Sequence, residues 1–170
     1  MANLYLIGMM GSGKSVTGKK LAALLGAGFV DLDEWIQEKT RRRITDLFEK
    51  EGEDFFRAQE SSVLKEAAGA GPRVVATGGG TILRSENVER MRSTGKIVYL
   101  EASPEVLWQR VKEKKDRPLL KSGDPRERLI QIFAERRSLY ETACDFRVTT
   151  DGESPDAVAK KILEIFKRQT

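Results

Sequence analysis

Residues 4–15 read Leu4-Tyr5-Leu6-Ile7-Gly8-Met9-Met10-Gly11-Ser12-Gly13-Lys14-Ser15. The last eight match the G-x-x-x-x-G-K-[ST] pattern, and the four before them form an apolar run of strand length that feeds straight into it. A helical pattern follows Ser15, so the motif sits between a strand and a helix, which is the context it requires. The chemistry behind the pattern is specific. Backbone amides must converge on phosphate oxygens at a helix N-terminus, and Gly8, Gly11 and Gly13 remove side chains that would block the approach. Lys14 adds a point charge toward the β and γ phosphates, and the Ser15 hydroxyl suits Mg²⁺, which keeps several waters and bridges phosphate oxygens. Gly11, Ser12, Gly13, Lys14, Ser15 and the adjoining Val16 are therefore the expected nucleotide-binding residues.

Outward from this loop, apolar runs of strand length recur at 29–32, 74–76, 97–100 and 146–148, separated by longer stretches of helical character. Five strands alternating with helices predict an α/β fold on a parallel sheet. The 170 residues suffice for one core and are short for two, so residues 1–170 are read as a single domain. Three helix starts carry a capping residue followed by proline: Ser103-Pro104, Asp124-Pro125 and Ser154-Pro155. In the last helix, Val158, Ile162, Ile165 and Phe166 share one face and are expected in the core. The stretch between the second and third strands is longer than one crossover helix needs. Residues about 34–60, interrupted between Thr40 and Arg43 and again at Gly52, predict a small helical insert over the ligand edge of the sheet. Residues about 112–124 are charged, carry Gly123 and must be extended before Pro118, which predicts a lid.

Composition removes several classes of chemistry. There is no histidine and only one cysteine, Cys144, which excludes histidine-assisted nucleophiles, histidine or thiolate zinc sites and an intrachain disulfide. Cys144 itself reads as a small, partly buried apolar residue. Carboxylates, Lys, Arg, hydroxyls, backbone amides and a hard metal ion remain. The net charge of +4 comes from 30 basic and 26 acidic residues, a balance that argues weakly for a nucleic-acid partner, and none is expected. Basic clusters at Arg41-Arg42-Arg43, from Arg110 to Arg117 and at Arg136-Arg137 suit either anionic ligands or solvated helix faces. No apolar run approaches the roughly 20 residues of a membrane span, and the segment MANLYLIGMM lacks a basic n-region. A cytoplasmic address without a membrane partner is the expectation. A guanine-reading Asn-Lys-x-Asp motif is ruled out, since the asparagines are Asn3 and Asn87 alone. Length and motifs together point to an ATP-dependent kinase of a small molecule.

The acceptor side is legible in three places. Asp31-Leu32-Asp33 closes the second strand, where residues two apart point to the same side, so both carboxylates can face the phosphate loop. For Asp33, ahead of Glu34-Trp35-Ile36, the alternative is a helix N-cap. Gly78-Gly79-Gly80 strips side chains from the turn after the third strand, leaving amides to meet an anionic or hydroxylated ligand. Arg57 has Glu60 at i+3, which either orients the guanidinium or forms an exposed pair of little consequence. Asp33 is the leading proton acceptor in a chain without histidine, with an ordinary carboxyl pKa near ~4.

The run from Arg57 through Glu60 and Leu64 to Val74-Val75-Ala76-Thr77-Gly78-Gly79-Gly80-Thr81-Ile82 resembles the shikimate kinase signature. With it come Gly11 to Ser15, Asp31 to Asp33, Arg117-Pro118-Leu119-Leu120, and Arg136 before Leu139-Tyr140, in an order that spans nearly the whole chain. The resemblance implies a P-loop kinase fold with strand order 2-3-1-4-5, like nucleoside monophosphate kinases. It implies transfer of the ATP γ-phosphoryl to the 3-hydroxyl of shikimate with Mg²⁺, a step of chorismate and aromatic amino acid biosynthesis; a monomer is expected. Carried onto this chain, Asp33 would hold the acceptor hydroxyls, Arg57 and Arg136 the carboxylate, and the Gly79 and Gly80 amides would complete the pocket. Asp31 would hold Mg²⁺ through water beside Ser15, and Arg117 would swing in with the lid. Arg110 and the loop before Pro155 would flank adenine. Val16 stands where the family often has threonine. The competing readings are a sibling kinase for another hydroxy acid such as gluconate or for a nucleotide, and a nucleotide-dependent binding protein.

Overall fold

A computed structural model describes residues 2–114, 117–121 and 123–168. The strands are β1 (Asn3–Ile7), β2 (Gly28–Asp31), β3 (Arg73–Ala76), β4 (Gly95–Glu101) and β5 (Phe146–Thr149). All neighbours pair in parallel, in the order β2-β3-β1-β4-β5. β1 lies at the centre and is buried along its length. Tyr5 and Ile7 face one core with Val75, Ile97 and Tyr99, while Leu4 and Leu6 face the other with Val74, Val98, Leu100 and Val148. A strand covered on both sides needs apolar residues at successive positions, which is why the apolar runs are continuous and do not alternate.

The helices are α1 (Lys14–Leu25), α2 (Leu32–Thr40), α3 (Ile44–Glu51), α4 (Glu53–Gly69), α5 (Ser85–Thr94), α6 (Pro104–Val111), α7 (Pro125–Ala143) and α8 (Pro155–Arg168). One face of the sheet is covered by α1 and α8 through Leu21, Ala22, Val158, Ile162 and Phe166. The other is covered by α4, α5, α6 and α7 through residues such as Leu64, Met91, Leu107 and Ile132. Each fully buried side chain of this size contributes about 1.5–3 kcal/mol of transfer free energy. Ile165, expected in the core, packs only partly buried at its margin.

The three proline-marked starts hold. Ser103 Oγ accepts from Val106 N–H (3.4 Å), Asp124 Oδ1 from Arg126 and Glu127 N–H (2.8 and 3.1 Å), and Ser154 Oγ from Ala157 N–H (3.2 Å). One boundary differs from expectation. β2 stops at Asp31, and Leu32 opens α2 because the Asp31 carboxylate caps that helix. The two aspartates are therefore brought together by a helix cap and its first turn, not by strand alternation, and the capping residue is Asp31, not Asp33. Because the chain leaves β1 for β3 and β2 on one side and for β4 and β5 on the other, the crevice at the carboxyl end of β1 is the topological switch point where ligands bind in such sheets. Among the described residues no helix is long and apolar enough to cross a membrane.

Candidate active site

The phosphate loop enters α1 at Gly13, whose φ of 90° and ψ of 18° are left-handed and suited to glycine. Ser12 N–H closes the loop on Met9 O at 3.1 Å, and Arg110 of α6 donates to Gly11 O at 3.1 Å. No side chain caps α1 and no acid lies in its first turn, so its leading amides stay open to an anion. Lys14 Nζ donates to Gly8 O and Met9 O, both at 2.9 Å, which folds the ammonium over the loop. Burial lowers its pKa to about 8, with Asp33 opposing the shift and Arg117 reinforcing it.

Across the crevice, Asp31 Oδ1 accepts from Asp33 and Glu34 N–H at 2.9 and 3.2 Å, and its Oδ2 accepts a short hydrogen bond from Ser15 Oγ. One hydroxyl beside one carboxylate suits a hard divalent ion that keeps most of its waters and is held largely by phosphates. Among the described residues no cluster of three acidic, His or Cys side chains forms a cage of its own. Asp33 Oδ1 is buried without a hydrogen-bond partner. Burial first, then the Glu60 and Asp31 carboxylates, push the Asp33 pKa up to about 7 against the pull of Lys14 and Arg117. The ordinary value near ~4 expected from sequence does not hold, because the burial and the Glu60 charge come from distant parts of the chain.

Arg57 is anchored, not exposed. Its Nη1 donates to Glu60 Oε2 at 2.8 Å, and Nε and Nη2 donate to Glu53 Oε1 at 3.3 and 3.1 Å. Glu60 is fully buried and also accepts a short hydrogen bond from Thr81 Oγ1. This pair accounts for two of the three consecutive glycines. A Cβ at Gly78 would lie 2.2 Å from Glu60 Oε1, and one at Gly80 would lie 2.4 Å from the Arg57 guanidinium. Gly79 instead faces the phosphate loop and Arg136, whose Nη1 would be 3.7 Å from an added Cβ. Arg136 is 6% exposed and forms no ion pair among the described residues. A buried guanidinium left without a carboxylate is costly unless an anion meets it. Arg57, Arg136, Asp33 and the glycine turn line one cavity whose apolar wall is Met10, Ile44, Leu119 and the Phe48–Phe56 pair, with ring centroids 4.7 Å apart.

Asp33 and Arg117 stand where three cavities meet. One is that acceptor cavity. A second, of about 400 Å³, runs along Gly13, Lys14, Ser15 and Val16 to Arg110. A third, of about 700 Å³, opens between α3 and Pro118 past Gln37, Arg43 and Lys121. Arg110 closes the far end of the phosphate-loop cavity, where it also donates to Thr150 Oγ1 and Thr150 O, both at 3.0 Å. Pro155 opens α8 and is not among the residues lining that cavity. Of the residues singled out from sequence, Gly11, Gly13, Lys14, Ser15, Val16, Asp31, Asp33, Gly79, Arg110 and Arg117 meet around the phosphate loop, and Arg57, Gly80 and Arg136 meet on the acceptor side. Ser12 is buried inside the loop. Sequence reasoning gave no role to Met10, Ile44, Phe48, Phe56 or Thr81. The apolar spacing of Ile44, Phe48 and Phe56 in their helices is the same as that of core residues, and Met10 in the phosphate loop and Thr81 after the glycine turn carry no pattern of their own, so only the fold distinguishes them.

A protein-family model for shikimate kinase matches residues 10–167. The shikimate kinase of Thermodesulfovibrio yellowstonii is 42% identical over 168 residues, covering 99% of this chain and 96% of that relative. Among solved structures, shikimate kinase from Acinetobacter baumannii in complex with shikimate superposes with a TM-score of 0.97 at 38% identity, over 100% of this chain and 95% of that one. The Aquifex aeolicus shikimate kinase gives 0.84 at 37% identity over 97% and 96% of the two chains. A phosphate loop, a buried carboxylate beside it and a pair of buried arginines across the crevice are thus found in a chain whose relatives align with it from end to end, and this chain belongs to the shikimate kinase family.

Proposed function

We propose that this chain transfers the γ-phosphoryl group of ATP to the 3-hydroxyl of shikimate, giving shikimate 3-phosphate and ADP, a step of chorismate and aromatic amino acid biosynthesis. The observation that carries the reading is the placement of Asp33. Its carboxyl, raised to about 7, lies between the phosphate loop and a cavity that holds two buried arginines.

The phosphate-loop amides and Lys14 hold the β and γ phosphates, and Arg57 and Arg136 take the acceptor carboxylate, for which a planar guanidinium fork is better matched than an ammonium. The Gly79 and Gly80 amides complete that pocket. Asp33 orients the acceptor hydroxyl through its unpartnered Oδ1. The acceptor oxygen forms the new bond to the γ-phosphorus, the bond to the β–γ bridging oxygen breaks toward ADP, and the hydroxyl proton passes to the Asp33 carboxylate. The transition state is loose, so alignment and charge neutralisation dominate, and Lys14 and Arg117 supply the positive charge. Ser15 and, through water, Asp31 would hold Mg²⁺, which when bound neutralises phosphate charge. Arg110, joined through Thr150 to the segment leading to Pro155, lies on the adenine side. The insert spans about 34–60 and the lid about 112–124, of which residues 115, 116 and 122 lie outside the described residues. A monomer is the working unit of this proposal, and dependence on ATP with a single cysteine fits the cytoplasm.

Two substitutions test this reading. Asp33→Asn is expected to lower kcat about 10²–10⁴-fold, and Arg136→Ala to raise the KM for shikimate about 10–100-fold. ATP affinity measured by calorimetry should stay near wild type in both. Ordinary shikimate turnover by either variant removes that residue from the site.

A further inference from the structure

The three-glycine turn has a support that its own sequence does not supply. Tyr140 of α7 is fully buried, and its hydroxyl donates a short hydrogen bond to the Gly79 carbonyl, 61 positions away in the chain. Its ring stacks on Tyr99 of β4 with centroids 5.1 Å apart and planes at 18°, so the direction of the hydroxyl is fixed by packing. Burial raises the phenol pKa, which keeps the group a donor at any pH where the enzyme works.

The anchored carbonyl belongs to the most rotatable stretch of backbone in the site. Glycine peptides lack the Cβ that would hold them in one orientation. The Gly79 C=O and the Gly80 N–H lie in one planar trans unit and point in opposite directions. Holding the carbonyl on the Tyr140 hydroxyl therefore fixes the direction of the Gly80 N–H as well, in a turn where Gly79 and Gly80 both border the cavity with Arg57 and Arg136. The rest of the turn is already committed: Thr81 N–H donates to Gly78 O at 3.3 Å and Leu83 N–H to Gly80 O at 3.0 Å. Among the described residues neither the Gly79 nor the Gly80 N–H donates a hydrogen bond. Arg136 lies one helical turn before Tyr140 on the same face, near enough to act on its hydroxyl.

We infer that Tyr140 is a positioning residue for the acceptor carboxylate: its hydroxyl locks the Gly79–Gly80 peptide so that the Gly80 amide and the Arg136 guanidinium converge on one anion. Tyr140 does not line the acceptor cavity and acts only through these neighbours. The inference rests on the shikimate reading above for the identity of that anion.

Tyr140→Phe tests it, since the ring and its stack on Tyr99 remain and only the hydroxyl is lost. The KM for shikimate is expected to rise about five- to twentyfold, with kcat changed less than about twofold and the KM for ATP unchanged. A lowered melting temperature with an unaltered shikimate KM would make Tyr140 an ordinary core residue and overturn the inference. Wild-type turnover of shikimate, measured alongside, separates the two levels, because its absence would defeat the substrate reading. The lock itself has a readout that needs no acceptor: the Gly80 amide resonance in ¹⁵N-labelled Tyr140→Phe is expected to shift and broaden relative to wild type. An unchanged, sharp Gly80 resonance overturns the lock whatever the substrate.

Discussion

Asp33 changes charge inside the pH range in which the enzyme is expected to work. Its pKa rises from an ordinary 3.8 to about 7 on folding, chiefly through burial. Between about pH 4 and 7 the folded chain keeps a proton that the unfolded chain has released, so this group's effect on stability worsens as pH rises through that window. Lys14, lowered from 10.5 to about 8 by burial, acts in the opposite sense, with stability recovering between about pH 8 and 10.5. At pH 8 the Asp33 charge therefore opposes folding. Asp33→Asn is expected to melt on the order of 2–8 °C higher than wild type there, with the gap narrowing toward pH 5. The same carboxyl must be ionised to accept the hydroxyl proton, so kcat/KM for shikimate should fall as pH drops below about 7, since that ratio reports the free enzyme. A pH profile flat from 6 to 8 would remove Asp33 from the proton-accepting role.

At the scale of elements, the segment carrying Arg117 is the proposed lid. The short turn Pro118–Leu120 packs on α3 and α7, Leu120 is 7% exposed, and Lys121 pairs with Glu49 across the 700 Å³ cleft. Both partners of that ion pair are roughly half exposed, and such pairs contribute about 0–1 kcal/mol. Among the described residues, burial of Leu120 contributes about 1.5–3 kcal/mol to holding this turn, and the proposed lid requires that it open and close with ligand. Trypsin cleavage after Lys114 is expected to slow about tenfold or more with ATP and shikimate together, and equal cleavage with and without them would argue against a lid. Lys115, the second candidate cleavage point, lies outside the described residues. How far sequence reached follows the range of each interaction. The phosphate loop and the proline-marked helix starts are local chemistry, and each falls where the residues predicted it. The end of β2 was not legible, because Leu32 continues an apolar run and the Asp31 cap is recognised only by the amides it binds. The raised pKa of Asp33 and the Tyr140–Gly79 link join segments far apart in the chain, so no local pattern announces them.

For the molecule as a whole, the sheet order decides the function that its residues can perform. β1 delivers the phosphate loop, β2 ends at Asp31, and β3 ends ahead of the glycine turn, all at the same carboxyl edge of the sheet. α4 and α7 then bring Arg57 and Arg136 to that edge from one face. The crevice can therefore bind a triphosphate and a small acid at once with a carboxyl group between them. The most direct measurement is ADP release by the purified chain with Mg²⁺ and ATP, compared across shikimate, gluconate and nucleoside monophosphates. Strong stimulation by shikimate alone is the predicted result. Stimulation by another acceptor with none by shikimate would leave the phosphate loop as described and contradict the assignment of the Asp33, Arg57 and Arg136 pocket.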